Sequence, residues 1–507
     1  MKLQITAILF IACTVAGVSA ADFTSVAEAI AEEQTGLWQL ADRAFENPAI
    51  IAWKSNLSLT KAGADFNGTA TDNAVDPRSG SGGREWGLFA STYTKYRSST
   101  LTGRGEYSSG ITRDVRWNET ADPGLLYPYL LADSIGGDLR TENYRFSGGY
   151  ADQRGRWVWG GRLGYRATLQ HRAVDPRPRN VVGQLDISAA GGFNFVKDYY
   201  AVAGLSLMKY KQTNEVEFLN ETGVDKIFHL TGLGNHYSRF DGVGLSTYYS
   251  GFSAGVDLNI YPASGQGFFA STQFKRFNFT NVLTDLNKLP LTGVNHRQFT
   301  AQTGWMFERG ALNGGVAGDI DIYRRHGHEN YFGDATSGIY PLSGSNEMYA
   351  DNRVNAGLTA RMGLKTAPLK RIFAQVDINW QHQSIVYLLP YSFMDLNSVE
   401  PSLKVAGVSN IGKSWIFNGT CSASFIIPYD CTAEFSNDAD TELGGLLDAE
   451  RGTFELNSRS GSKIRLEIGV ARALGKYALR LSGEWQLTTV KGVSNRNDYA
   501  VSLALNF

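Results

Sequence analysis

The chain has 507 residues and a formal net charge of −1, which argues against a nucleic-acid partner. It is rich in glycine (56) and in aromatic residues (10 Trp, 24 Tyr and 27 Phe), but it has only 3 Cys. Beyond the N-terminal leader, no stretch has the about 18 unbroken apolar residues of a transmembrane helix. This length and composition suit one large β-barrel or two to three soluble domains.

The N-terminus has the pattern of a secretory signal peptide. Met1 and Lys2 precede an apolar run from Ile5 to Val15, and the small residues Val18-Ser19-Ala20 come next. We therefore predict residues 1–20 to be a signal peptide cleaved near Ala20, with export of the mature chain. Residues 21–49 carry a broken apolar stripe at helical spacing, which predicts a short helical segment. This segment would pack at the base of the barrel or act as a periplasmic cap or plug.

From residue 50 onward, strand-like segments alternate with connections that are short and long in turn. The predicted strands are 50–64, 84–97, 100–115, 138–151, 155–171, 180–196, 198–212, 245–261, 266–282, 294–308, 311–326, 347–364, 371–388, 459–473, 476–490 and 497–507. Short periplasmic turns and long extracellular loops produce this alternation, and closure of a bacterial barrel requires an even strand number. We predict an all-β fold over residues 50–507, a transmembrane antiparallel barrel of about 16 strands (14 to 18). Its largest extracellular loop, about 389–458, is long enough to hide a further hairpin.

The two faces of the predicted strands differ in chemistry. In the segment 157–169 the odd positions are apolar or aromatic, whereas the even ones include Arg162 and Arg166. Unpaired backbone groups cost several kcal/mol in hydrocarbon, so a strand with one lipid-facing stripe must belong to a closed ring. The other face then lines a polar lumen.

The predicted lumen lining carries seven residues of each sign. They are Arg145, Arg162, Arg166, Arg353, Arg361, Arg465 and Arg480, with Asp186, Asp257, Asp319, Asp321, Asp377, Glu467 and Glu484. Opposed basic and acidic walls would create a transverse field that orients dipolar solutes in a pore. The alternative, which the sequence leaves open, is that these charges form salt bridges that fill a closed lumen.

Two groups of loop residues are candidates for covalent or metal chemistry. Cys421 and Cys431 are ten residues apart, and in an oxidising compartment they predict a hairpin disulfide. His326, His328 and Glu329 would suit a metal or haem, but ordinary loop polarity is the simpler interpretation, so we predict neither metal nor cofactor. The G-x-S-x-G match at residues 251–255 continues the alternation of a strand instead of forming a sharp turn, and we predict no enzyme activity.

The C-terminal strand resembles the assembly signal of bacterial outer-membrane barrels, since Tyr499, Val501, Leu503, Leu505 and Phe507 share one face and the chain ends in Phe. Asn47-Pro48-Ala49 is similar to the start of the barrel in long-chain fatty-acid transporter-like proteins. The whole chain resembles an uncharacterised family of Bacteroidota outer-membrane barrels often encoded beside TonB-dependent receptors.

This resemblance implies a location and partners. The location is the bacterial outer membrane. The implied partners are outer-membrane lipid, the barrel-assembly machinery and a TonB-dependent receptor or surface lipoprotein. The implied function is an uptake channel or an accessory of nutrient uptake, including iron or haem. The alternative is a non-transporting structural or partner-docking barrel with a closed lumen.

Overall fold

The computed structural model describes residues 23–220, 226–242, 246–412, 414–436 and 443–507. The predicted signal peptide lies outside these ranges. Within them, none of the helices combines the length and the apolar character needed to cross a bilayer.

Eighteen antiparallel strands form one closed ring. In chain order they are β1 (Leu59–Thr71), β2 (Gly82–Tyr96), β3 (Ser99–Val115), β4 (Gly137–Arg154), β5 (Trp157–His171), β6 (Arg177–Val196), β7 (Tyr199–Glu217), β8 (Thr247–Pro262), β9 (Gly267–Leu283), β10 (Leu289–Arg309), β11 (Leu312–Phe332), β12 (Leu342–Ala367), β13 (Lys370–Tyr387), β14 (Ser392–Ile411), β15 (Trp415–Glu434), β16 (Gly461–Leu474), β17 (Tyr477–Val490) and β18 (Ser494–Asn506). Each strand pairs with its neighbours in sequence, and β18 closes the ring on β1 through pairs such as Val501 with Phe66. Every strand of the ring therefore has a paired neighbour on both sides, and the sheet has no free edge strand.

Apolar side chains cover the outside of the ring. Leu205 and Leu258 are both 63% exposed, and similar residues form a band at alternate strand positions around the barrel. Such a surface is stable against lipid tails and would be unfavourable in water. The predicted fold class, a transmembrane antiparallel barrel, is confirmed.

The sequence prediction differs from the structure at two places. All sixteen predicted strands are present, but β14 and β15 come from the segment that was predicted as a large loop. Pro401 and Pro428 lie inside these strands, and a proline within a run argues against a strand because it removes a ladder hydrogen bond. β1 begins at Leu59 and not at residue 50, because Ile50–Trp53 forms a 3-10 helix.

The connections differ in length at the two ends of the barrel. At one end, called here the short-turn end, two to four residues join successive strands. At the opposite, long-loop end, three to twenty-nine residues join them. Both the first and the last strand meet the short-turn end, where Phe507 and Thr60 exchange two backbone hydrogen bonds.

Residues 23–53, called here the plug, lie inside the barrel at the short-turn end. They form α1 (Phe23–Thr35) and the 3-10 helices Leu37–Glu46 and Ile50–Trp53. Buried residues of α1, including Val26 and Ile30, pack on inward side chains of β14 to β17. Leu40, Phe45 and their neighbours pack on the opposite wall, on β4 to β11. Apolar burial against both walls holds the plug across the lumen.

Three long connections fold into the barrel at the long-loop end. They contribute α2 (Pro123–Leu126), α3 (Gly444–Ser458) and a small sheet of Leu131–Ala132, Phe228–Gly232 and Asn235–His236. Their apolar residues, such as Leu126 and Phe228, pack on inward Tyr210, Tyr249 and other wall residues. The lumen is thus occupied at both ends.

Candidate functional site

The plug takes up several of the charges that the sequence predicted to line the lumen. Arg43 of the plug lies 3.4 Å from Asp319 and 3.8 Å from Asp321. Asn47 donates a hydrogen bond of 2.6 Å to Asp257. The aspartates of β8 and β11 therefore contact polar groups of the plug and do not face an open pore.

The end of α1 is held by a basic side chain of the wall. Arg361 donates to the backbone carbonyls of Thr35 and Gly36 and to Gln39. A cation at this position satisfies carbonyls that have no partner within the helix and complements its dipole. Two further ion pairs flank α1, because Glu33 contacts Lys61 on β1 and Glu32 contacts Arg371 on β13.

The loop that carries α2 is fastened in the same way at the other end. Asp122 accepts two hydrogen bonds from Arg166, of 2.8 and 2.6 Å, and a third of 2.8 Å from Tyr210. A bidentate pair of this kind fixes the loop in both position and orientation. Arg166 is thus a docking residue for the loop.

A buried charge triad fastens the same loop at a second point. Arg172 lies 2.6 Å from Glu119 and 2.7 Å from Asp133, and the three side chains are at most 1% exposed. Burial raises the pKa of Glu119 well above its usual value, and the adjacent Asp133 adds to this. Although burial alone would raise the pKa of Asp133, its hydrogen bonds with Glu119 and Arg172 bring it below its usual value. The triad therefore favours one proton on Glu119 and one negative charge on Asp133.

The other predicted lumen residues have local partners on the wall or, for Arg162, on the plug. Three arginines form ion pairs: Arg465 lies 2.8 Å from Glu484, Arg480 lies 3.9 Å from Glu467, and Arg353 lies 2.6 Å from Asp351. Asp377 accepts hydrogen bonds from Thr359 and Ser402, and Asp186 accepts one from Gln184. Arg162 lies within electrostatic range of Glu46. Arg145 differs from them, because it is exposed inside the barrel and has no ion pair or hydrogen bond within the described residues.

Arg145 lies on a polar cavity of about 690 Å³ toward the long-loop end. This upper cavity is bounded by β1 to β5, β17 and β18, and by Asp122 and Leu456 of the inserted loops. A second, lower cavity of about 440 Å³ is lined by Asp65, Arg104, Glu467 and Glu484. Asn67 lines both cavities, so they adjoin along one arc of the wall.

Helix α1 separates the lower cavity from a third one at the short-turn end. Glu33 lines the lower cavity, whereas Glu28 and Glu32, on another side of the same helix, line a cavity of about 590 Å³ beside the short turns. Opposite sides of α1 therefore face two different water-accessible spaces.

Sequence reasoning identified Arg145, Glu467 and Glu484 on this arc but missed its residues on β1 and on the plug. Lys61, Asp65 and Asn67 alternate on the inward face of β1, and this alternation could have been found if the strand had been placed at residues 59–71. Glu33 could not be identified from the sequence, since the pattern of an amphipathic helix does not show which wall residue an acidic side chain on its polar face contacts.

The predicted disulfide is wrong. Cys421 and Cys431 are free and lie on the same strand, β15. Ten residues of strand span about 33 Å, whereas a disulfide requires Cα atoms within about 7 Å. The error has the same origin as the missed hairpin, because the spacing suggested a turn between the two thiols.

The weak metal candidates do not converge. His326 pairs with Glu347 at 2.6 Å, while Glu329 faces the lumen and accepts a hydrogen bond of 2.9 Å from Tyr387. Within the described ranges, no group of three or more His, Cys, Asp or Glu side chains could hold a metal ion.

The residues of the predicted C-terminal assembly signal lie on the outer face of β18 and at its end. Tyr499, Val501 and Leu503 are 44 to 49% exposed on the outer face. Leu505 comes next on the same face, and Phe507 packs edge-on against Tyr477 at 6.0 Å.

Comparison with known proteins gives a family but no function. The model of a protein family of unknown function matches residues 48–507. No curated protein sequence matches the chain.

Solved structures show distant similarity. The ferric enterobactin receptor PfeA of Pseudomonas aeruginosa has 9% identity and a TM-score of 0.36, over 88% of this chain and 80% of its own. BauA, the ferric preacinetobactin receptor of Acinetobacter baumannii, has 7% identity and a TM-score of 0.40 over the same shares. The CymD monoaromatic hydrocarbon channel has 10% identity and a TM-score of 0.31, over 97% of this chain and 94% of its own. Similarity at these scores does not assign a ligand to this barrel.

Proposed function

The chain belongs to the DUF6850 family of unknown function, and we propose that it is a bacterial outer-membrane channel kept shut by its own N-terminal plug. The observation that carries this proposal is a line of polar cavities inside the barrel. The upper and lower cavities lie along the wall from β16 through β18 and β1 to β5, and α1 separates them from the third cavity at the short-turn end. Displacement of α1 would join the lower cavity to the space beside the short turns.

The contacts of α1 suit a movable gate. Its ion pairs are partly exposed, with side-chain exposures of 22% and 36% for Lys61 and Glu33, and 9% and 28% for Arg371 and Glu32. Pairs of this kind stabilise a conformation by about 1 kcal/mol or less each. Their loss would therefore weaken the hold on α1 at a modest cost and leave only its apolar packing on β14 to β17 and the Arg361 hydrogen bonds to keep it in place, while the packing on β4 to β11 holds the rest of the plug.

The lining of the path favours small hydrophilic solutes with charges of both signs. Arg145 presents a cation to the upper cavity, and the lower one is lined by the acids Asp65, Glu467 and Glu484 together with the cations Lys61 and Arg104. A path with opposed charges orients dipolar solutes and passes neither sign of ion freely. Uptake of iron or haem, as the family resemblance implies, would be tested by growth of a deletion strain on these nutrients.

Single-channel conductance of the refolded protein in a planar bilayer tests the gate. We expect a double variant, Glu32→Gln with Glu33→Gln, to conduct far more often than the wild type, because both α1 ion pairs are lost. Glu28→Gln is the matched control, since Glu28 lies on the same helix and has no ion pair within the described residues. A double variant that is folded by heat-modifiable gel mobility yet remains silent would refute the gated channel.

A silent barrel would favour the second candidate, a non-transporting or partner-docking protein. The apolar packing of three loops in the mouth, including Trp117, Leu126 and Phe228, supports this candidate. Its partners would be a TonB-dependent receptor or a surface lipoprotein, and crosslinking in intact cells followed by mass spectrometry would identify them. In either case the barrel-assembly machinery would recognise the C-terminal strand.

A further inference from the structure

Three arginines lie side by side on the outer wall of the barrel. Arg276 on β9 is the register partner of Arg297 on β10, and Arg297 is the partner of Arg324 on β11. Directly paired residues of antiparallel strands have Cα atoms about 4.5 to 5.5 Å apart. The three side chains, called here the arginine row, therefore form one compact cationic group.

The arginine row faces outward, away from the lumen. Phe274 and Phe299, each two residues from an arginine of the row, are 44% and 39% exposed on the outer surface. The next residue after Arg324 is Arg325, which is 3% exposed and donates to the Tyr127 carbonyl inside the barrel. Since successive side chains of a strand alternate between faces, all three arginines belong to the outer face.

The row lies at the upper border of the apolar band. The register row toward the short-turn end is apolar and consists of Phe274, Phe299 and Ile322. The register row toward the long-loop end is polar and consists of Asn278, Asn295 and His326. The lowest apolar row includes Phe268, and the eight residues from there to Arg276 span about 20 Å of height for a strand tilted by about 40°. The arginines are thus at the level of lipid headgroups on the long-loop side.

No protein group in the described ranges neutralises these charges. All three arginines are exposed, and none has an ion pair or hydrogen bond there. The nearest outward acid along β11 and β12, Glu347, is already paired with His326. Like charges directly opposite each other destabilise a sheet, so an uncompensated row is unfavourable unless an anion binds to it.

We infer that the arginine row binds the phosphate groups of a lipid headgroup in the leaflet on the long-loop side. Guanidinium groups bind phosphate through two parallel hydrogen bonds, and three adjacent ones match a headgroup that carries more than one phosphate. The apolar row below would contact the acyl chains of the same lipid. Exposed Lys209 lies on β7, two strands from Arg276, and would extend the basic surface.

This inference rests on the proposed outer-membrane location but not on channel activity. A diphosphorylated glycolipid of the outer leaflet has the required chemistry. A soluble phosphate would use the same guanidinium groups, but it would gain nothing from the adjoining apolar row.

Binding measurements on the full chain in neutral detergent test the site, with diphosphorylated lipid A as the probe. The variant combines Arg276→Gln, Arg297→Gln and Arg324→Gln. The matched control removes three exposed cations near the short-turn end through Arg97→Gln, Lys197→Gln and Arg309→Gln. We expect the row variant to bind at least tenfold more weakly and the control to remain within twofold of wild type. Enzymatically dephosphorylated lipid A should bind to wild type as weakly as the intact lipid binds to the row variant.

A second measurement distinguishes the site from a general loss of stability. Without lipid, the row variant should have a thermal midpoint at or above that of wild type, because repulsion is relieved. Added lipid A should raise the midpoint of wild type and of the control but not of the row variant. Equal affinity of wild type and row variant, equal binding of the dephosphorylated lipid, or full displacement of lipid A by millimolar inorganic phosphate would each overturn the inference. Failure of the protein to insert into bilayers at all would instead contradict the proposed location.

Discussion

Replacement of Arg172 by methionine removes the cation from the buried triad with Glu119 and Asp133. The two carboxyl groups that remain are 0% exposed, so water cannot replace the guanidinium. Methionine preserves much of the side-chain volume, and the change therefore tests the charge instead of the packing. We expect the loop of residues 116–136 to lose much of its docking free energy.

The expected cost depends on the burial of the triad. Removal of one partner of a fully buried ion pair costs about 3 to 5 kcal/mol. Since about 1.4 kcal/mol corresponds to a factor of ten, the undocked loop should become about 10²- to 10³-fold more populated. Arg179 provides the matched control, because its pair with Glu215 is 3.2 Å long but 61% and 52% exposed, and such pairs contribute little.

Hydrogen exchange measures this equilibrium directly. The amide of Arg116 donates to the Pro77 carbonyl and that of Leu230 to the Leu130 carbonyl; both bonds join the loop to other segments and break when it undocks. We expect both amides to exchange at least a hundredfold faster in Arg172→Met and within about fivefold of wild type in Arg179→Met. Equal, small effects in the two variants would show that the triad does not hold the loop. Glu119→Gln should cost less than Arg172→Met, because Glu119 already favours its neutral form.

Three further outcomes are expected. Burial lowers the pKa of His229 to about 4, so the folded state binds this proton more weakly than the unfolded one. The protection factor of the Leu230 amide, which is its intrinsic exchange rate divided by the observed rate, should fall as pH falls from 6.5 toward 4, and His229→Phe should abolish that trend. Arg43→Met leaves Asp319 and Asp321 without their cation, and we expect a loss of about 1 to 3 kcal/mol in plug docking, measured as increased conductance. Cys421 and Cys431 should each react with a maleimide in the unfolded, unreduced protein, giving two adducts per chain; protection of both thiols until reduction would contradict the assignment of free cysteines.

The sequence prediction and the structure agree best where the alternation along a single strand shows which side chains face lipid. Alternation in β5 identified the outer face without any knowledge of neighbouring strands, because period-two patterning reports which side meets lipid. The prediction failed in β14 and β15. Pro401 and Pro428 interrupt the sequence pattern of a strand there, although the hydrogen-bonded ladder accommodates both prolines. It also failed for the first strand, since the apolar residues of Ile50–Trp53 pack inside the lumen and not against lipid.

The sequence by itself determined the closed barrel and its polar interior, because both depend on local alternation and on the cost of unpaired backbone in lipid. Only the tertiary structure decided what the interior charges do. Arg361 and Asp319 are inward charged residues of the kind that lines a pore, yet they bind the plug, and Arg166 binds a loop. The physical reason is that an inward charge is stable beside either water or an ionic partner, and the partners come from segments far away in the sequence.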